Sequence, residues 1–201
     1  YASWKEEIIE LSNDKLVDIT KKANIYSTSL WCLYYDKTTE QLWVGSTDKG
    51  IFIVDLGNKI KSFEPHFFGL QTLEIQSLFT TKENTTWIGA RDKIIILKND
   101  LSFKILNKKH IFNKVEKYIK KIAATPEQLN GYKSFKTRNG FTCFNITSDK
   151  QGYVWINTTN GTYCFDKNQK LLFYDFGSGS GGNLAFDKND LALYSIMYNK
   201  T

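Results

Sequence analysis

The chain has 201 residues, 41% hydrophobic and 15% aromatic, which is enough to bury a core and excludes an intrinsically disordered segment. Its formal net charge is +6, yet Arg91 and Arg138 are its only arginines. Bidentate readout of bases and phosphates favours arginine over lysine, so nucleic acid is not expected as a partner.

No apolar run approaches the roughly 18 residues that read as a bilayer span, so a membrane is expected to be met only through segments outside these residues. The first residue is Tyr1 instead of Met, and the chain reads as a piece of something longer. Cys32, Cys143 and Cys164 are too few and too scattered for a disulfide framework or a zinc site. Each sits in an apolar strand pattern and reads as a buried free thiol. His66 and His110 have no ligand partner at metal spacing, so neither a metal nor another cofactor is expected.

In chain order, apolar residues alternate from 7 to 19 around Ser12-Asn13-Asp14-Lys15, which predicts a hairpin. Residues 1–20 thus read as the outer two strands of a blade whose inner half is missing. The stretch 29–63 predicts four short strands, near 30–34, 41–45, 50–54 and 60–63. The stretch 75–106 repeats that plan, and so does 141–175. A last half-phrase over 183–198 matches the inner strands, with Leu193 where a tryptophan should stand. These elements share one phrase built around Trp43, Trp87 and Trp155, each preceded nine or ten positions earlier by Leu33, Leu78 or Ile146. A period of about 40–50 residues made of short strands is the signature of β-propeller blades. The expected fold is therefore all-β: about three full blades and two half blades, with a small helical insert.

Packing explains the phrase. A tryptophan flanked by apolar residues on a central strand suits a sheet buried on both faces. Asp149 and Gly152 make the tight turn before Trp155, and Gly50 and Gly161 supply permissive backbone at the next turn. The insert, 107–140, is different. Ile111, Phe112, Val115, Tyr118, Ile119 and Ile122 form a helical stripe, with Lys114, Lys117 and Lys121 placed on the other face. Thr125-Pro126 ends that helix and opens a second. The Gly177–Gly182 run reads as a mobile or closely approaching loop.

The pattern apolar-x-x-Asp-x-x-Gly-x-apolar-Trp-Ile-Gly-Thr-x-x-Gly-apolar, carried most fully from Thr147 to Gly161, resembles the two-component regulator propeller repeat. The resemblance covers roughly 29–195 without the insert. Lys93 stands where one copy should have its second glycine. The resemblance implies a periplasmic sensor region of a hybrid two-component sensor kinase, responding to a carbohydrate breakdown product. Any kinase activity would then lie in downstream domains.

Blade geometry places the loops between blades, and those between second and third strands, on one face. Asp48, His66, Phe67, Arg91, Asp92 and Asn160 are the candidate ligand-binding residues there, while Trp43, Trp87, Gly152, Trp155 and Gly161 are structural. The ligand expected is a small molecule or oligosaccharide, with no catalytic residue. A structural or protein-docking module, using the basic amphipathic insert, is the alternative. A glycan-active enzyme is less favoured: two arginines cannot build a sialidase-type carboxylate clamp, although paired acids spaced for glycoside hydrolysis would suit the fold. The incomplete ends leave two arrangements. Either they meet in one composite blade and close a four-bladed ring, or they pair with other domains of the same longer chain or with a second copy.

Overall fold

A computed structural model of the chain describes residues 2–4, 7–12, 15–22, 25–26, 29–55, 60–122, 124–137, 141–175, 184–187, 189 and 192–194. The Gly177–Gly182 run and the turn expected between the strands near 50–54 and 60–63, at Gly57-Asn58, lie outside them. The chain divides into two compact units, 1–80 and 81–201.

In the first unit, β1 (Ala2–Trp4), β2 (Glu7–Ser12) and β3 (Lys15–Asp18) form a three-stranded antiparallel sheet. The segment expected to hold two strands thus holds three. It also ends in a helical turn, α1 (Ile19–Lys22), where Asp18 Oδ1 accepts the Lys21 amide at 3.2 Å. Next come β4 (Leu30–Asp36), β5 (Gln41–Ser46), β6 (Ile51–Val54) and β7 (Ile60–Phe63), a four-stranded antiparallel meander. Ile8, Ile19, Ile25 and Leu30 share a core with Leu42, Val44, Phe52 and Val54. Hence the three-stranded sheet and the meander are held by one apolar cluster within this unit.

Two further four-stranded sheets follow the same order. One comprises β8 (Ile75–Thr80), β9 (Thr86–Ala90), β10 (Lys93–Leu97) and β11 (Phe103–Asn107). The other comprises β12 (Cys143–Ser148), β13 (Val154–Thr158), β14 (Gly161–Phe165) and β15 (Leu171–Asp175). A short hairpin, β16 (Leu184–Phe186) with β17 (Ala192–Tyr194), comes last. The fold is all-β and propeller-like. The middle strands β6, β9 and β14 are buried along their whole length, whereas β7, β11 and β15 carry exposed positions. That is why the middle strands read as continuous apolar runs and the outer ones do not.

Trp87 and Trp155 fill space between sheets. Trp87 lies 5.6 Å, ring to ring, from Phe165 on β14. Trp155 meets Phe186 on β16 at 5.5 Å. The turn before each tryptophan is built differently. Asp149 accepts the Tyr153 amide at 2.8 Å with one oxygen and the Trp155 indole N–H at 2.8 Å with the other. In the first copy Asp36 spends its oxygens on Thr38 N and Thr39 Oγ1, both at 2.9 Å. There the turn is one residue longer, and the buried Trp43 Nε1 has no hydrogen-bond partner among the described residues. The second copy has Thr81 instead of the aspartate, and Asn84, at φ 55°, supplies the left-handed residue that Gly152 supplies at φ 80°.

The insert forms two helices, α2 (Lys108–Lys121) and α3 (Pro126–Thr137). Asn107 caps α2 by accepting the His110 amide at 3.1 Å. Thr125 and Gln128 cap α3 reciprocally: Thr125 N donates to Gln128 Oε1 at 2.9 Å and Gln128 N to Thr125 Oγ1 at 3.3 Å. Ile111, Val115 and Ile119 of α2 are buried, and the helix packs on β11 and β15. Phe112 stacks on Tyr132 of α3 at 5.3 Å. The apolar stripe is thereby used inside the protein.

Candidate functional site

The second unit gathers Arg91, Asp92 and Asn160 into one network of turns. The β9–β10 turn holds Arg91 and Asp92. Asp92 N donates to Phe141 O at 2.8 Å, and Asp92 Oδ1 accepts Phe141 N at 2.9 Å. Arg91 bridges Thr142. Thr142 N in turn donates to Thr159 Oγ1, and Thr159 N to Thr142 O, each at 3.0 Å. Asn160 completes the chain: its carbonyl accepts the Tyr174 hydroxyl, and its amide donates to Thr158 Oγ1 at 3.1 Å. Asn160 is only 5% exposed, and the Asp92 carboxylate is engaged with backbone. These two residues therefore fasten turns together; Arg91 and Asp92 are both exposed, and Asn160 is buried.

The first unit places Asp48 on the exposed turn between β5 and β6. His66 and Phe67 follow in a 3-10 turn, Pro65–Phe68. His66 is exposed, with Nδ1 3.3 Å from Glu64 Oε2. Phe67 is half-buried, its ring 4.8 Å from Phe63 and 5.0 Å from Phe68, so it is packed as much as it is displayed. Gly50 lets the carbonyl of Phe63 approach so closely that no Cβ would fit. The β5–β6 turn and the segment after β7 thus reach the same end of this sheet.

A hydroxyl at the threonine position of the repeat pattern locks two of the turns. Ser46 Oγ donates to Gly50 O at 3.1 Å and accepts the Lys49 amide at 2.9 Å. Thr158 Oγ1 likewise donates to Gly161 O at 2.9 Å. The remaining copy has Ala90 there. Its left-handed residue is Asp92, at φ 63°, one position before the Lys93 that replaces glycine. Lys93 itself continues the ladder opposite Ala90. Among the described residues no cluster of His, Cys, Asp or Glu could hold a metal ion.

Sequence reasoning missed a groove of about 520 Å³ between α2 and the β14–β15 turn. Lys114, Lys117 and Lys121 line it from the helix, together with Tyr118 and Ile122. Asn168 to Leu172 line it from the sheet. The lysines were expected on the face away from the apolar stripe. They flank it, because residues three, four and seven apart share one helix side. Lys114 is half-buried and donates to Gln169 O at 2.7 Å, and Lys104 donates to Gln169 Oε1 at 3.1 Å. Burial pushes the Lys114 ammonium below the usual lysine range; Lys104 and Lys117 push the same way, and Asp166 opposes them. The Asp166 carboxylate is held by the amides of Asn168 at 2.9 Å and Lys170 at 2.8 Å.

No family model matches the chain, and no curated protein matches it either. Solved structures do. The extracellular domain assigned to the hybrid two component system BT4673 from B. thetaiotaomicron is similar over 94% of this chain, with TM-score 0.64 and 13% identity. That assigned to BT3049 from the same organism is similar over 94%, with TM-score 0.54 and 22% identity. Virginiamycin B lyase from Staphylococcus aureus is similar over 83% of this chain and 48% of its own, with TM-score 0.56 and 12% identity. What these share with the chain is the fold. The chain spans 23% and 22% of the two extracellular domains.

Proposed function

We propose that the chain is part of the extracytoplasmic, ligand-sensing region of a hybrid two-component system, without catalysis in these residues. The observation that carries the reading is the fold likeness along nearly the whole chain to extracellular domains of such systems. The Thr147–Gly161 phrase supports it independently. In this reading the three four-stranded sheets are propeller blades, and the ligand is a carbohydrate breakdown product. The exposed candidates, each considered within its own unit, are Asp48 and His66 in the first and Arg91 in the second. Binding would act by favouring one arrangement of the longer protein over another. No helix among the described residues is long and apolar enough to cross a membrane, so the anchor would be supplied by other segments. A lyase shares the fold, so the test needs a turnover arm.

Thermal-shift screening of the chain against a panel of oligosaccharides, with product analysis on the same samples, tests the proposal. We expect saturable stabilisation by one class of saccharide and no product. Released product would replace sensing by catalysis, and the absence of stabilisation across the panel would remove carbohydrate as the ligand.

A further inference from the structure

The groove between α2 and the β14–β15 turn is lined by none of Asp48, His66, Phe67, Arg91, Asp92 and Asn160, and its chemistry is specific. Four lysines line it (Lys114, Lys117, Lys121 and Lys170), and no carboxylate is among its lining residues. Its remaining wall includes Tyr118, Ile122 and Leu171, a mixed aromatic and aliphatic surface. The acid that Lys114 senses, Asp166, accepts two backbone amides of its own turn. Glu116 on α2 is engaged with Lys120 at 3.2 Å. Positive charge therefore accumulates around a concavity whose lining holds no acid, with Asp166 outside it as a partial counter-charge.

Helix electrostatics explain only part of this. Lysines in a last turn complement the negative end of the helix dipole, which accounts for Lys120 and Lys121. Lys114 and Lys117 lie earlier, beyond the reach of that effect. Lys114 is also held in place, by its hydrogen bond to Gln169 O, and its charge is disfavoured by burial and by neighbouring lysines. An anion in the groove would relieve that. The volume matches the range of roughly 300–1,000 Å³ typical of small-molecule sites.

We propose that this groove binds a small organic molecule carrying at least two anionic groups, carboxylate or sulfate, beside an apolar or ring face. The lysine ammoniums pair with the anions, and Tyr118 and Leu171 cover the ring. If the sensing reading also holds, the natural ligand is a carboxylated or sulfated sugar; this clause rests on that reading, whereas the groove does not.

Isothermal titration of the full chain tests it with four probes: naphthalene disulfonate, a sulfated disaccharide, a neutral disaccharide and inorganic sulfate. Naphthalene disulfonate should bind at least about tenfold more tightly than the neutral sugar or inorganic sulfate. Raising salt from about 50 to about 500 mM should weaken it severalfold. The double variant K117A/K121A, which alters two exposed side chains, should lose about tenfold in affinity at an unchanged melting temperature. Equal binding of neutral and charged probes, equal binding of inorganic sulfate, or unchanged affinity in the double variant would each overturn the proposal. Binding of the disulfonate without the sulfated sugar keeps the groove and rejects only the sugar clause.

Discussion

Gly161 and Gly152 occupy the same repeat phrase and both have positive φ, 130° and 80°, but their surroundings differ. A Cβ at Gly152 would meet nothing within 4 Å. A Cβ at Gly161 would lie 2.9 Å from Tyr174 Cε2 and 3.2 Å from the carbonyl carbon of Asp175, and closer still to that carbonyl oxygen. Asp175 is a sheet residue paired with Thr162, so it cannot retreat without opening the β14–β15 ladder. Gly152→Ala should therefore cost only the positive-φ penalty, about 1–2 kcal/mol. Gly161→Ala should add an overpacking cost of about 1–3 kcal/mol, giving a difference near 2 kcal/mol between the variants. The entropy that alanine removes from the unfolded chain applies to both and cancels. Gly50→Ala repeats the test in the other unit. Its Cβ would lie 3.4 Å from Glu64 Cα and closer to the Phe63 carbonyl oxygen, so it should behave as Gly161→Ala does. Urea unfolding followed by tryptophan fluorescence reads the three variants side by side. Equal costs for Gly152→Ala and Gly161→Ala would refute the close-approach reasoning.

Three further outcomes follow from the same geometry. Asp149→Ala removes the acceptor of both the Tyr153 amide and the Trp155 indole, whereas Asp36→Ala touches no indole; urea titration should show the former costlier by about 1 kcal/mol, and a cheaper Asp149→Ala would contradict the assigned role. The Cys164 thiol is pushed up to about 12 by burial, with Asp149 and Asp166 adding to it. The unfolded chain releases that proton at lower pH, so this group's contribution to stability should be fully present below pH 9.0 and fall as pH rises toward 12. Native Cys164 should also resist alkylation until the protein unfolds, as peptide mapping after labelling would show. Ile111→Ala, at a fully buried site on α2, should cost about 2–5 kcal/mol. It should also speed protease cleavage within 107–140; unchanged proteolysis would mean that α2 is not held by its stripe.

The repeat phrase determined much of the fold by itself. Short runs such as Ile51–Val54 and Thr86–Ala90 are apolar because both faces of a middle strand are covered, and that condition is written in local periodicity. The helical stripe of the insert was legible for the same reason, as were the Thr125-Pro126 break and the burial of Trp43 and Trp87, with Trp155 half-buried. The direction in which polar groups turn was not. Asn160 and Asp92 have the composition of ligand-binding residues, yet the fold commits one to burial beside Tyr174 and the other to the backbone of Phe141. The groove was equally invisible, since Lys114 meets Gln169 across 55 residues of sequence. Helical spacing states which lysines share a side of α2. Only the packing of that helix against β15 decides that their charges face a concavity and not open water.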